Sequence, residues 1–148
     1  MKKSKIIRFI ICVLGPLICG IIVGFLIDAK AYNGFTKPPL SPPAVLFPIV
    51  WTIIYLIFYF TMVKYYDNSK IYNLYIVILI IQTLWNMVFF GLGSFLLALL
   101  IIIVLYFISW LFVYYLSKEN KKYLYIYLIY IIWLLIATYL NIGIYILN

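Results

Sequence analysis

Residues 95–116 read FLLALLIIIVLYFISWLFVYYL, twenty-two positions without a charge. Coiled as an α-helix they extend about 33 Å, close to the roughly 30 Å hydrocarbon thickness of a bilayer. No water is available at that depth to satisfy backbone groups, so the run must be helical. Outward from it lie four more runs of the same kind: Ile6–Ile27, Ala44–Lys64, Ile71–Phe90 and Tyr123–Leu147. Between them are the loop Asp28–Pro43 and three short breaks, Tyr65–Lys70, Gly91–Ser94 and Ser117–Lys122. The expected fold is therefore an all-α integral membrane protein, a bundle of five transmembrane helices forming one domain over residues 1–148.

Composition agrees. The chain is 69% hydrophobic and 9% charged, against about 45–50% and about 25% in ordinary soluble domains. Its net charge of +8 does not imply nucleic acid, because the cations flank the apolar runs instead of lining a folded face. The basic start Lys2, Lys3, Lys5, Arg8 and the triplet Ala29-Lys30-Ala31 imitate a signal peptide. The apolar stretch between them exceeds the usual 7–15 residues, so a retained helix is expected. Cys12 and Cys19 stand about 10 Å apart along that helix, too far for a disulfide.

Lysine and arginine also give the orientation. With five spans, the amino terminus and the second and fourth loops share one side, which holds Lys2, Lys3, Lys5, Arg8, Lys64, Lys70, Lys118, Lys121 and Lys122. The other side holds Lys30 and Lys37. Cytoplasmic loops carry the excess of cations, so the protein is expected in the cell membrane with a cytoplasmic amino terminus. The first loop and the carboxyl terminus then lie outside.

That topology assigns depth. Trp51 falls about 10 Å below the outer end of the second span; Gln82, Trp85 and Asn86 lie about 6–12 Å from the outer end of the third; Asn141 lies about 9 Å down the fifth. Gln82, Trp85, Asn86 and Phe89 share one helical face, as do Trp133, Ala137, Asn141 and Ile144, and Trp51, Tyr55 and Phe58. Amides at such places commonly join helices, at about 0.6 kcal/mol per bond. Three aromatic and polar faces at one level also make the walls and anchors of a ligand cavity. Over that level lies Thr36-Lys37-Pro38-Pro39-Leu40-Ser41-Pro42-Pro43, which prolines keep extended and semi-rigid. A plain connector needs only a few residues, so a sixteen-residue loop of this composition reads as a lid.

Much chemistry is excluded. There is no histidine, and the acids are Asp28, Asp67 and Glu119 alone, at loops and helix ends. No metal site, cofactor, acid–base pair or nucleophile is called for, and histidine-ligated haem is impossible. Proton-coupled transport usually needs an ionisable group within the membrane. A planar apolar ligand would be held by stacking on Trp and Tyr faces.

Three blocks resemble a known family. Lys37-Pro38-Pro39-Leu40-Ser41-Pro42-Pro43 followed by Phe47-Pro48, Val50-Trp51 and Tyr55 is similar to the first-loop and second-helix signature of the translocator protein family (TspO/MBR). Its bacterial members are called tryptophan-rich sensory proteins. Trp85-Asn86-Met87-Val88-Phe89-Phe90-Gly91-Leu92 resembles the family's third-helix segment, and Trp133…Ala137-Thr138-Tyr139-Leu140-Asn141 its fifth-helix motif. The resemblance implies a five-helix bundle, often homodimeric, with a hydrophobic pocket under the first loop for protoporphyrin IX, for sterols in some lineages and for benzodiazepine-type drugs. It also implies light-dependent porphyrin breakdown in some bacterial members, a role that would fall to Trp51 and Trp133. The ligand-facing set becomes Pro38, Pro42, Pro43, Phe47, Trp51, Tyr55, Gln82, Trp85, Asn86, Phe90, Trp133, Ala137 and Asn141. Gln82 stands where the family has Asn and Asn86 where it has Ser, which alters anchors more than walls. No cation follows Tyr139 or Tyr145, which puts the family's sterol motif in doubt. The rival readings are a small transporter of hydrophobic ligands and a structural subunit with a filled core.

Overall fold

The structure is a computed structural model that describes residues 3–26 and 29–148; Lys2, Ile27 and Asp28, on which parts of the first-span, orientation and loop expectations fall, lie outside them. Six α-helices follow one another: α1 (Lys3–Leu26), α2 (Ala29–Gly34), α3 (Leu46–Tyr65), α4 (Ser69–Asn86), α5 (Phe95–Glu119) and α6 (Lys122–Leu147). All but α2 are long and apolar enough to cross a membrane. No strand occurs among the described residues.

Local chemistry explains the boundaries. Asn68 caps α4, its side-chain oxygen accepting from the backbone N–H of Lys70 and Ile71 at 3.2 and 3.3 Å, so the helix opens two residues before the apolar run. Residues 42–45 turn through Pro42 and Pro43, and α3 starts at Leu46, not Ala44. The far end of α4 departs from expectation. Met87–Gly91 winds as a π-helix, with Leu92 N–H donating to Met87 O at 3.0 Å. This wider turn lets three successive residues, Val88, Phe89 and Phe90, all point inward.

α1 packs against α3 and α4, α4 against α5, α5 against α6, and α6 returns to α3. In lipid, helices are joined by close packing and hydrogen bonds, not by escape from water. Phe58 centres one such contact, with the rings of Tyr75, Phe112, Tyr127 and Tyr130 at 5.1–5.6 Å. On α1, Pro16 has no N–H for the Cys12 carbonyl one turn earlier. Tyr75 on α4 supplies the missing donor, its hydroxyl reaching Cys12 O at 3.1 Å. Gly15 beside it allows the approach: a Cβ there would stand 3.0 Å from Leu79 Cδ1.

The first loop is more ordered than a connector. Its start forms α2, which proline arguments about residues 36–43 left unaddressed. Lys37 Nζ closes the end of that helix by donating to Tyr32 O at 3.0 Å and Phe35 O at 3.2 Å. Residues 36–43 are non-helical, as their prolines require. Within them Leu40 adopts φ +62°, a region unusual for a residue with a Cβ, and Ser41 Oγ donates to Pro38 O at 2.6 Å across the turn. The lid is then sewn to the end of α6. Tyr139 hydroxyl donates to Pro39 O at 2.6 Å, Thr36 N–H donates to Asn148 Oδ1 at 3.0 Å, and Asn148 Nδ2 donates to Thr36 O at 2.9 Å. Pro38 fills a notch at Gly143, where any Cβ would overlap its ring.

Candidate functional site

Beneath the lid, between α1, α2, α3 and the end of α4, lies a cavity of about 390 Å³, within the range of small-molecule sites. Aromatic rings make most of its wall: Phe47, Trp51 and Tyr55 from α3, Tyr32 from α2 and Phe90 from the π-helical turn. They succeed one another on α3 because 47, 51 and 55 are spaced at i and i+4, about 12 Å of helix from first to last. Tyr32 also ties the roof down, its hydroxyl donating to Pro42 O at 2.8 Å. Burial pushes this phenol above its usual pKa, so it stays a neutral donor.

Asn86 and Tyr55 are polar residues of this otherwise apolar lining whose hydrogen bonding is incomplete. Asn86 is 2% exposed, and its Nδ2 donates to Gln82 O at 2.8 Å. Its Oδ1 is buried without any partner. An unmet carbonyl in such surroundings costs about 1–3 kcal/mol. Tyr55 hydroxyl accepts from Gln82 Nε2 at 3.1 Å, which leaves its own proton free to donate. Asn86 Oδ1 is thus an unmet acceptor buried just behind the cavity surface, on a residue that lines it.

The residues expected at the site divide into two groups. Phe47, Trp51, Tyr55, Asn86 and Phe90 line the cavity. Gln82, Trp85, Ala137 and Asn141 do not, because their chemistry is met elsewhere. Gln82 links three helices, giving a proton to Tyr55 and accepting one from Tyr130 hydroxyl at 3.1 Å, to which Ser109 Oγ adds a bond at 3.2 Å. Trp85 Nε1 donates to Asn141 Oδ1 at 3.1 Å, and Asn141 Nδ2 donates to Phe95 O at 2.8 Å. Ala137 is packed in the core with Trp85 and Phe89. Trp133 stands behind the wall, edge-on to Phe47 at 5.4 Å and to Trp51 at 6.5 Å, with its buried Nε1 unpartnered. Pro38, Pro42 and Pro43 shape the lid without lining the cavity.

One wall was not anticipated. Gly20, Val23 and Gly24 of α1 face the cavity, and nothing lies within 4 Å of a Cβ built on either glycine. The small-xxx-small spacing of that pair was visible in the sequence. It marks an open wall here, not a close helix contact.

The TspO/MBR family model aligns with residues 12–147. This chain belongs to the TspO/MBR family. A relative, Tryptophan-rich protein TspO of Archaeoglobus fulgidus, is 33% identical over 122 residues, covering 79% of either chain. With five spans of sufficient length, this TspO/MBR member is a multi-pass membrane protein. The matched region takes in all of the cavity wall, from Gly20 to Phe90.

Proposed function

We propose that the cavity binds a planar, mostly apolar ligand of the porphyrin class, with Trp51, Tyr55, Phe47 and Phe90 as stacking surfaces. The observation that carries this reading is Asn86 Oδ1, buried and unpaired on the wall of an aromatic cavity. Beside it, Tyr55 has a proton to give. A protonated carboxyl on the ligand's rim can donate to Asn86 Oδ1 and accept from Tyr55, and so removes the desolvation cost of the unpaired amide oxygen. Family membership supports a membrane ligand-binding or transport role in general, and porphyrin is the finer reading proposed here. The lysine distribution further supports a cytoplasmic amino terminus, with the cavity in the outer half of the membrane.

Titration of protoporphyrin IX into the detergent-solubilised protein, followed by fluorescence quenching, tests the reading. Trp51→Ala should weaken binding by about 1–3 kcal/mol, a value borrowed from base–aromatic stacking. Asn86→Leu should weaken it by about 1–3 kcal/mol through the lost charge-free anchor. Unchanged affinity in both variants removes the site.

A second reading, light-driven breakdown of the bound porphyrin with dissolved dioxygen as the oxidant, is favoured by the 6.5 Å edge-to-face pair of Trp51 and Trp133. One indole lies on the cavity and the other directly behind it. Illuminated samples should show new product absorption in the parent and none in Trp51→Phe; equal product in both limits the protein to binding.

A further inference from the structure

The end of the bundle opposite the lid is cationic, and its charges are organised. Among the described residues Asp67 and Glu119 are the carboxylates there, and both are engaged: Asp67 with Lys5 of α1, and Glu119 with Asn68 Nδ2 at 3.2 Å. At the seam where α3 ends and α6 begins, Lys64 Nζ lies 5.1 Å from the Tyr65 ring centre. Tyr65 meets Tyr123 edge-on at 5.5 Å, and Lys122 Nζ lies 5.3 Å from the Tyr123 ring. Two exposed ammonium groups thus flank a tyrosine pair whose inner member, Tyr123, is buried. No carboxylate pairs with either lysine among the described residues.

Two like charges held on one seam raise the local potential and attract an anion. Their level narrows its kind. Lys64 and Lys122 stand where two membrane spans end, the depth at which lipid phosphates lie. Below them α3 and α6 expose Phe60, Ile126 and Ile129, an apolar surface suited to acyl chains. We propose that the α3–α6 seam, with Lys64 and Lys122 around the Tyr65–Tyr123 pair, binds the phosphate of an anionic phospholipid from the adjoining leaflet. A zwitterionic choline headgroup brings its own cation against the two lysines and is disfavoured. The second lysine pair, Lys70 and Lys118 over Tyr115 and Tyr114, is the natural control, because Glu119 adjoins it and lowers the local potential.

Native mass spectrometry of the full chain, titrated with phosphatidylglycerol or phosphatidylcholine, reads the effect directly. Phosphatidylglycerol should be retained preferentially. Juxtamembrane cations contribute about 1 kcal/mol each, or about fivefold in affinity, so the double variant Lys64→Gln, Lys122→Gln should lose about 25-fold. Lys64→Arg, Lys122→Arg should keep binding, and Lys70→Gln, Lys118→Gln should leave this seam's affinity within about twofold. All four sites are exposed, and unchanged thermal unfolding of the variants excludes a folding defect. Equal retention of both lipids overturns the proposal. So does equal loss in the two double Gln variants, which means diffuse attraction, or full competition by inorganic phosphate, which means a site for the free ion.

Discussion

On the α4–α5–α6 side, Trp85 pairs with Asn141, Asn141 with the Phe95 carbonyl, and Tyr130 with Gln82, which also reaches Tyr55 of α3. On the α1 side, Cys12 and Pro16 are the buried residues among the described side chains of that helix, and Asn86 Oδ1 is left open. Both sides expose apolar side chains. What separates them is how completely side chains occupy the interior. Where indoles and amides interlock, as Trp85 does with Asn141, the interior is filled; where glycines replace side chains, as at Gly20 and Gly24, a cavity remains. The closed side sets stability and the open side leaves room for a ligand.

The sharpest way to break this contrast is to injure the closed side. Trp85→Ala removes a buried indole and strands the Asn141 amide, and should cost about 3–5 kcal/mol of stability by denaturant titration in micelles. A loss under about 1 kcal/mol would mean that the closed side is as loose as the other. Gly143→Val drives a side chain into Pro38 and should cost about 1–3 kcal/mol while freeing the lid from α6. Faster proteolysis within residues 36–43 would register the release.

The buried hydrogen bond that anchors α1 to α4 gives a finer test. Tyr75→Phe leaves the Cys12 carbonyl without a donor and should cost about 1 kcal/mol. In a Pro16→Ala background the ordinary helical N–H returns, so the same change should cost close to nothing. Additive losses in that double-mutant cycle would show that the tyrosine serves some other end. The smallest expected effect on stability belongs to Gly20→Leu, within about 0.5 kcal/mol, since nothing lies near its Cβ. Its leucine should nonetheless fill the cavity and abolish porphyrin quenching, which separates stability from binding.

Most of the fold was readable because bilayer thickness and backbone hydrogen bonding act on every residue of a span. The five helices, the non-helical lid segment and the level of the polar residues follow from those constraints. Within the site, Trp51, Tyr55 and Asn86 follow from helical spacing under the lid, and Phe47 and Phe90 from the family resemblance. Spacing could not tell Asn86 from Gln82 and Trp85, because a face shared by i, i+3 and i+4 is wide enough to look at two neighbours at once. Which neighbour each residue meets depends on how the helix is rotated, and that is decided by distant partners such as Tyr130 and Asn141. The anchoring of Pro38 at Gly143 joins residues a hundred positions apart and leaves no local signal. The small-xxx-small spacing of Gly20 and Gly24 on α1 is that of a packing seam, so spacing alone does not announce a cavity wall there.

The wide turn at Met87–Gly91 has a consequence for the whole third span. It accommodates one residue beyond ordinary winding, and each residue of an α-helix advances the side-chain direction by about 100°. Deleting a single position there would tighten the coil and swing the preceding face round by that amount relative to α5. Asn86 would leave the cavity and Trp85 would lose its amide in the same movement. Chain length in this short stretch thus works as an angular setting, and a one-residue indel would be felt as a rotation more than as a gap.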